Sequence, residues 1–184
     1  MQKLTILIGC MGIMLSTIVY AAPYATAVDV PDSQFKTLFP DTSKEMAEMM
    51  GKWPIVKKED IPDASSIAAP AYPNALITKL VGPHKVRPGK YKGLATVQMA
   101  STDSFEKVQM FYAKELAGWS KQTYSNGKSV YWAKTGLVEV NTKAMKEPQV
   151  RVTDLTTVVG GGEWQKKLVP DAQTLIEVYY LPTN

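Results

Sequence analysis

The first amphipathic pattern of the chain indicates a short helix near the N-terminus. Thr42 and Glu45 have the spacing of a capping box, and Pro54 ends the pattern, so we expect a helix from about Thr42 to Trp53. Positions i, i+3, i+4 and i+7 of its apolar face are held by Met46, Met49, Met50 and Trp53. Such a face most simply covers part of a core. An alternative is copper binding outside the cytoplasm, because methionine thioethers are soft ligands.

The second amphipathic pattern predicts a longer helix in the middle of the chain. Asp103 and Glu106 form its capping box, and Gly118 has the freedom to end it in a left-handed conformation. Its apolar positions at helical spacing are Phe105, Val108, Phe111, Tyr112 and Leu116. Trp119, directly after Gly118, is expected to fold back on this apolar face.

Apolar runs and alternating patterns predict a set of strands around this helix. The predicted strands are 75–81, 91–99, 119–124, 129–133, 137–141, 149–152 and 175–181. Asn126-Gly127 is a strong hairpin signal, which makes the runs 119–124 and 129–133 antiparallel neighbours. Since strands outnumber helices and no β-α-β rhythm appears, the predicted fold is α+β. It is an antiparallel β-sheet covered by one long amphipathic helix, with a short N-terminal helix.

Composition divides the chain into four segments. The predicted order is a signal peptide (1–27), an N-terminal segment with the short helix (28–60), a Pro/Ala-rich linker (61–74) and the α+β domain (75–184). Three prolines among Ala and Ser keep the linker from continuing a helix or strand, so we expect it on the domain surface. The N-terminal segment would then be free to act as a separate docking arm.

The first residues have the order of an export signal. A single positive charge at Lys3 precedes an apolar stretch from Leu4 to Tyr20. Small residues favour cleavage after Ala21 or after Ala27, and such sites suit a Gram-negative type of envelope. We therefore expect a periplasmic or secreted protein. Two alternatives leave it attached to a membrane: an uncleaved apolar anchor, or lipidation at Cys10.

Composition narrows the chemistry of the exported chain. Cys10 is the single cysteine, so removal of the signal excludes disulfides, thiol catalysis and thiolate metal sites. The net charge of +4 is too mild to indicate nucleic-acid binding. No nucleotide, metal or cofactor motif is present, and we predict no cofactor and no metal site. The core alone must stabilise a domain of about 160 residues.

Two segments are candidates for ligand contact. The segment 82–92 is basic and has no acidic residue, and its candidate residues are His84, Lys85, Arg87, Lys90 and Lys92. It is suited to an anionic ligand or an acidic partner, although solvated loop decoration is the simpler account. In the segment 153–170 the candidates are Gly160, Gly161, Gly162 and Trp164. Glycines allow close approach or motion, and the indole offers a stacking surface. A plain connector is equally compatible with this segment.

One family resemblance follows from the central helix. The sequence Ser101 to Val108, continuing into Phe111-Tyr112 and Gly118-Trp119, resembles a segment of uncharacterised exported bacterial α+β domains. The resemblance covers roughly residues 72–181, with 153–172 as an insertion. It implies the sheet-plus-helix fold and a bacterial origin, and it implies no activity.

These observations favour a non-enzymatic exported domain that binds an anionic ligand or an envelope protein. The contact surface would combine the loops 82–92 and 153–170. The alternative is a small hydrolase of envelope polymers that uses paired carboxylates, for which Glu139 and Glu177 are candidates. Charges on the solvent face of a sheet are the simpler interpretation of these two residues.

Overall fold

The computed structural model describes residue 24 and residues 27–82, 94–125, 127–136, 147–157 and 162–181. Several predictions fall outside these residues. They are most of the signal peptide, the five basic candidates of the segment 82–92, Gly160, Gly161, Glu139 and the strand predicted at 137–141.

In the part of the chain that the structure describes, six antiparallel strands form one sheet. In chain order they are β1 (Leu76–Val81), β2 (Ala95–Ser101), β3 (Ser120–Tyr124), β4 (Ser129–Ala133), β5 (Gln149–Asp154) and β6 (Thr174–Tyr180). Their order in the sheet is β1-β2-β6-β5-β4-β3, so the last strand lies near the centre and β1 and β3 form the edges. The antiparallel pairing of β3 with β4 confirms the hairpin predicted at Asn126-Gly127.

Among the described residues, four short α-helices accompany the sheet. They are α1 (Phe35–Leu38), α2 (Lys44–Met49), α3 (Phe105–Glu115) and α4 (Glu163–Leu168). The α+β class with an antiparallel sheet is thereby confirmed. The longest described helix, α3, has only 11 residues, so the expected single long helix is not found there.

Helix α3 begins and ends close to its predicted limits. Its N-cap is Ser104, whose hydroxyl accepts a hydrogen bond from the Lys107 N–H, and not Asp103 as the capping-box spacing indicated. Gly118 has the left-handed φ of 92° expected of a residue that ends a helix. One face of α3 packs on one face of the sheet, which we call the helix face. Tyr112, for example, is fully buried, with its ring centroid 6.1 Å from that of Trp132 on β4.

The segment 61–74 is part of the core and does not lie on the surface as expected. Four of its side chains are buried in the same cluster as α3: Ile67, Ala69, Ala71 and Tyr72. The Tyr112 hydroxyl of α3 donates a hydrogen bond to the Pro70 carbonyl, at 3.2 Å. Short proline-rich turns thus add a layer beside α3, since their alternating small apolar side chains are directed inward.

The N-terminal segment packs against the sheet and is not a free arm. Its aromatic side chains form a cluster with Trp164 of α4, consisting of Phe35, Phe39, Trp53 and Trp164. This aromatic cluster belongs to the apolar group that contains Leu76, Ala100 and Leu175. Those three residues lie side by side on β1, β2 and β6, on the sheet face opposite α3, which we call the second face.

Candidate functional site

The basic segment 82–92 connects the two strands of a hairpin. Strand β1 ends at Val81, which pairs with Thr96 near the start of β2. The chain therefore leaves the sheet and returns to it on neighbouring strands at one end. The candidate basic residues themselves lie between these anchors, outside the described residues.

The two described candidates of the glycine-rich segment have packing roles. Gly162 precedes α4 with a φ of 125°, and a Cβ atom there would lie 2.7 Å from Cδ2 of the buried Leu155. Trp164 is half-buried, and its ring centroid lies 5.5 Å from that of Phe39. Both residues help to hold α4 beside the aromatic cluster.

The two candidate segments are anchored at opposite ends of the sheet. The glycine-rich segment follows Asp154, which pairs with Thr174 at the start of β6. The basic segment is anchored beside Ala95, which pairs with Tyr180 at the other end of β6. Six residue steps of a strand separate these ends, about 20 Å at 3.3 Å per residue. A shared contact surface for the two segments stays a prediction, and their anchors give it no support.

A row of polar side chains crosses the second face of the sheet. The register places one residue of each strand directly beside the next, in the order Lys79, Gln98, Glu177, Arg151, Tyr131 and Gln122. We call this set the polar row. It lies next to the apolar corner that the aromatic cluster covers, so the second face divides into an apolar part and a polar part.

Glu177 and Arg151 form the centre of the polar row. Gln98 Nε2 donates to Glu177 Oε1 at 2.9 Å, and Arg151 Nη1 lies 3.3 Å from Glu177 Oε2. The Arg151 guanidinium also lies over the Tyr131 ring, 5.2 Å from its centroid. Glu177 is only 6% exposed, so its expected place on a solvent face is wrong. Oε2 accepts no hydrogen bond of good geometry from the described residues. Its interaction with Arg151 is therefore the salt bridge alone.

Two tyrosines beside this ion pair have perturbed hydroxyls. Desolvation by burial, followed by the charge of Glu177, raises the pKa of Tyr179 above its usual value. Desolvation also raises the pKa of Tyr131, although the Arg151 charge opposes it. A tyrosine hydroxyl is protonated at neutral pH in any case, and the raised pKa extends its role as a hydrogen-bond donor to more alkaline pH.

The methionines of α2 are exposed and do not cover the core. Met46, Met49 and Met50 are 46%, 76% and 53% exposed. Ala47 and Trp53 provide the buried contacts of this segment. The simplest interpretation of the sequence pattern is thus wrong for all three methionines, because the helix is rotated so that Ala47 contacts the core.

The ion pair of the polar row was not predicted from the sequence. Alternation of polar and apolar residues on β5 and β6 was visible, and it placed Arg151 and Glu177 each on the polar side of its strand. Only the register of the two strands brings the charges together, and register between strands separated by a long connection has no local signal.

Comparisons with known proteins give no match for this chain, whether with protein-family models, curated proteins or solved structures. Among the described residues, no helix has the length and apolar character to cross a membrane. In the same part of the chain, no group of three or more His, Cys, Asp or Glu side chains is placed to hold a metal ion.

Proposed function

We propose that the protein is an exported, non-enzymatic binding domain of the bacterial periplasm. Its basic segment 82–92 takes an anionic ligand or an acidic surface of an envelope protein. The observation that carries this proposal is the way in which the two ends of that segment are held. Two paired strands of a packed sheet fix its ends, and function commonly resides in loops that a rigid scaffold positions.

The charge of this segment supports an anionic ligand. It contains three lysines, one arginine and one histidine without an acidic residue. Lys79 of β1 adds exposed positive charge close to one anchor, and the exposed Lys134 lies at the same end of the sheet, just after β4 and three strands away from β2. Arginine forms bidentate hydrogen bonds with phosphate or carboxylate, and lysine adds long-range attraction.

Export with cleavage after Ala21 is part of the same proposal. Tyr24 is 4% exposed, and its hydroxyl donates to the Ala69 carbonyl at 2.7 Å. Cleavage after Ala21 retains this buried side chain, whereas cleavage after Ala27 removes it from the main core cluster. The packing of Tyr24 therefore favours Ala22 as the first residue of the mature protein.

The family resemblance stays within this proposal. We propose that residues 72–181 form the same kind of exported domain as those it resembles, with α3 as the helix that covers the sheet. The burial of Phe105, Val108 and Tyr112 of α3 against the helix face supports this assignment. It adds no activity to the binding function.

Native mass spectrometry of the protein recovered from its own envelope fraction tests the binding function. We expect a chain that begins at Ala22 and carries a bound ligand or partner. Charge reversal at Arg87 and Lys90, both to Glu, should remove that added mass. Charge reversal of the exposed Lys166 and Lys167 on α4 is the matched control, since it changes the net charge equally at the other end of the sheet.

Two outcomes would contradict the binding function. One is wild-type protein with no bound species, and the other is equal loss of the bound species from both double variants. Thermal melting of each variant provides the stability control, because the binding loss must occur without a drop in stability.

The alternative function, carboxylate-based hydrolysis, gains no support here, since Glu177 is buried in its contacts with Arg151 and Gln98.

A further inference from the structure

We infer that α2 carries a binding site for a soft monovalent metal ion, Cu(I) or Ag(I), formed by the thioethers of Met46, Met49 and Met50. The first argument is exposure. Full burial of a methionine side chain contributes roughly 1.5–3 kcal/mol to folding, yet Met49 is 76% exposed and Met46 and Met50 are about half exposed, at 46% and 53%. The core therefore makes little use of these side chains, and core packing does not explain why three methionines lie together here.

The second argument is geometry. Residues at i, i+3 and i+4 of a helix are neighbours on its surface, with Cβ atoms about 5–6 Å apart. The Met50 N–H donates to the Met46 carbonyl at 3.0 Å, so the helical turn continues through Met50 and joins the first and last ligands. A methionine has three flexible side-chain torsions, which allow the sulfur atoms to converge on one ion.

The third argument is chemistry. Thioether sulfur is a soft, uncharged ligand that favours Cu(I) over hard cations such as Mg²⁺. Two exposed carboxylates on the same helix, Glu45 and Glu48, add negative charge that favours a bound cation. A thioether has no proton to lose at ordinary pH, so the affinity should change little between pH 5 and pH 7, unlike that of a histidine or carboxylate site.

Metal titration of the folded protein tests this site. Ag(I) serves as a redox-stable probe, and Cu(I) is added in competition with the chelator bicinchoninate. We expect one ion per chain by native mass spectrometry, with similar affinity at pH 5 and pH 7. The triple variant Met46→Leu, Met49→Leu and Met50→Leu should lose this binding, and each single change should weaken it about tenfold or more.

The substitutions are chosen to separate metal binding from apolar character. Leucine has nearly the volume and hydrophobicity of methionine, so the variants keep the same exposed apolar surface and should fold normally. Met110→Leu is the matched control, because Met110 of α3 is 67% exposed but lies outside α2. Its change should leave the affinity as it is in the wild type. No binding by the wild type, or equal binding by the triple variant, would overturn the site.

Discussion

At the scale of single residues, Gly162 has the least room for a side chain among the described glycines. An alanine there combines a positive φ with a contact of 2.7 Å between its Cβ atom and Leu155 Cδ2. Leu155 is 2% exposed, so it has little room to move aside. We expect Gly162→Ala to lower the free energy of unfolding by about 2–3 kcal/mol, measured as a shift of the urea midpoint.

Gly51 provides the control for this prediction. It also has a positive φ, 64°, but a Cβ atom there would meet no atom within 4 Å. Gly51→Ala should therefore cost only the backbone strain, about 1 kcal/mol. Equal losses at the two positions would show that the contact with Leu155 has no part in the effect.

The ion pair of the polar row is the second prediction at this scale. Glu177→Ala leaves the Gln98 amide and the Arg151 guanidinium without their carboxylate partner. We expect the free energy of unfolding to fall by about 2–3 kcal/mol. This is at or below the usual loss for a broken buried ion pair, because the Arg151 side chain is 32% exposed and can reach water. Urea unfolding of the two single variants and of Glu177→Ala with Arg151→Ala measures the coupling between them.

A surface ion pair sets the baseline for that cycle. Asp32 and Lys44 also form a salt bridge, but the Asp32 side chain is 71% exposed. Asp32→Ala should move the urea midpoint only slightly, because solvent already screens this pair. Additive effects of Glu177→Ala and Arg151→Ala would mean that the buried pair contributes no coupling.

At the scale of elements, local signals predicted more than long-range packing. The hairpin at Asn126-Gly127 and the turn at Gly118 that follows α3 depend on backbone preferences of neighbouring residues. The orientation of α2 could not be predicted in this way, because the helix ends at Met49 and the chain turns at Gly51, so Trp53 does not share a helical face with the methionines. Trp53 packs on Phe35 of another element, and Ala47 is the residue of α2 that is buried.

The same distinction applies to the candidate contact residues. Charge composition marked the segment 82–92, and hydrophobic alternation marked the strands that anchor it. Neither signal gives the order of strands in the sheet. That order places the anchors of this segment and of the glycine-rich segment at opposite ends of β6. That order depends on β6 inserting between β2 and β5, a pairing between residues far apart in the chain.

The start of α3 gives a prediction for pH dependence. Hydrogen bonds from Lys107 Nζ and from the Tyr72 hydroxyl lower the pKa of Asp103. Its folded-state pKa therefore lies below the unfolded value of about 3.9. The stabilisation is complete above that pH and is lost as the pH falls through the folded-state pKa. Asp103→Asn should thus be less stable than wild type at pH 7, and the difference should shrink as the pH falls through the folded-state pKa.

Urea midpoints measured from pH 7 to pH 2 check this prediction. Tyr72→Phe is the companion variant, since it removes one of the two hydrogen bonds to Asp103 and keeps the ring that packs on Phe111. It should show a smaller version of the same pH dependence. A difference between Asp103→Asn and wild type that is constant with pH would contradict the assigned role of the carboxylate.

At the scale of the whole molecule, packing layers lie on both faces of the sheet. Its helix face is covered by α3 and the segment 61–74, while the aromatic cluster covers one corner of the second face. The proposed ligand-binding segment begins and ends at one end of the sheet, and the α2 methionines belong to a separate element. The two proposed sites therefore make independent predictions, and the failure of one leaves the other standing.

The first residues of the mature protein give the last prediction, which concerns the whole chain. A protein beginning at Ala22 keeps Tyr24 in the core, with its hydroxyl on the Ala69 carbonyl. A protein beginning at Val28 lacks this side chain, and Tyr24→Ala lacks it in the longer chain. We expect Tyr24→Ala to lose about 3 kcal/mol of unfolding free energy, and the shorter chain to lose at least as much because it also lacks Ala27 and its bridge to Ile77. Tyr24→Phe should lose about 1 kcal/mol for the hydrogen bond.

Urea unfolding of the four proteins side by side measures these losses, and N-terminal sequencing of the exported protein shows which start occurs in the cell. A start at Ala22 together with a destabilised shorter chain means that the signal ends where the folded core begins. Equal stability of the chains that begin at Ala22 and at Val28 would contradict the role of Tyr24. The packing of Tyr24, which among the described residues of 22–27 is the buried one, would then give no basis for choosing between the two cleavage sites.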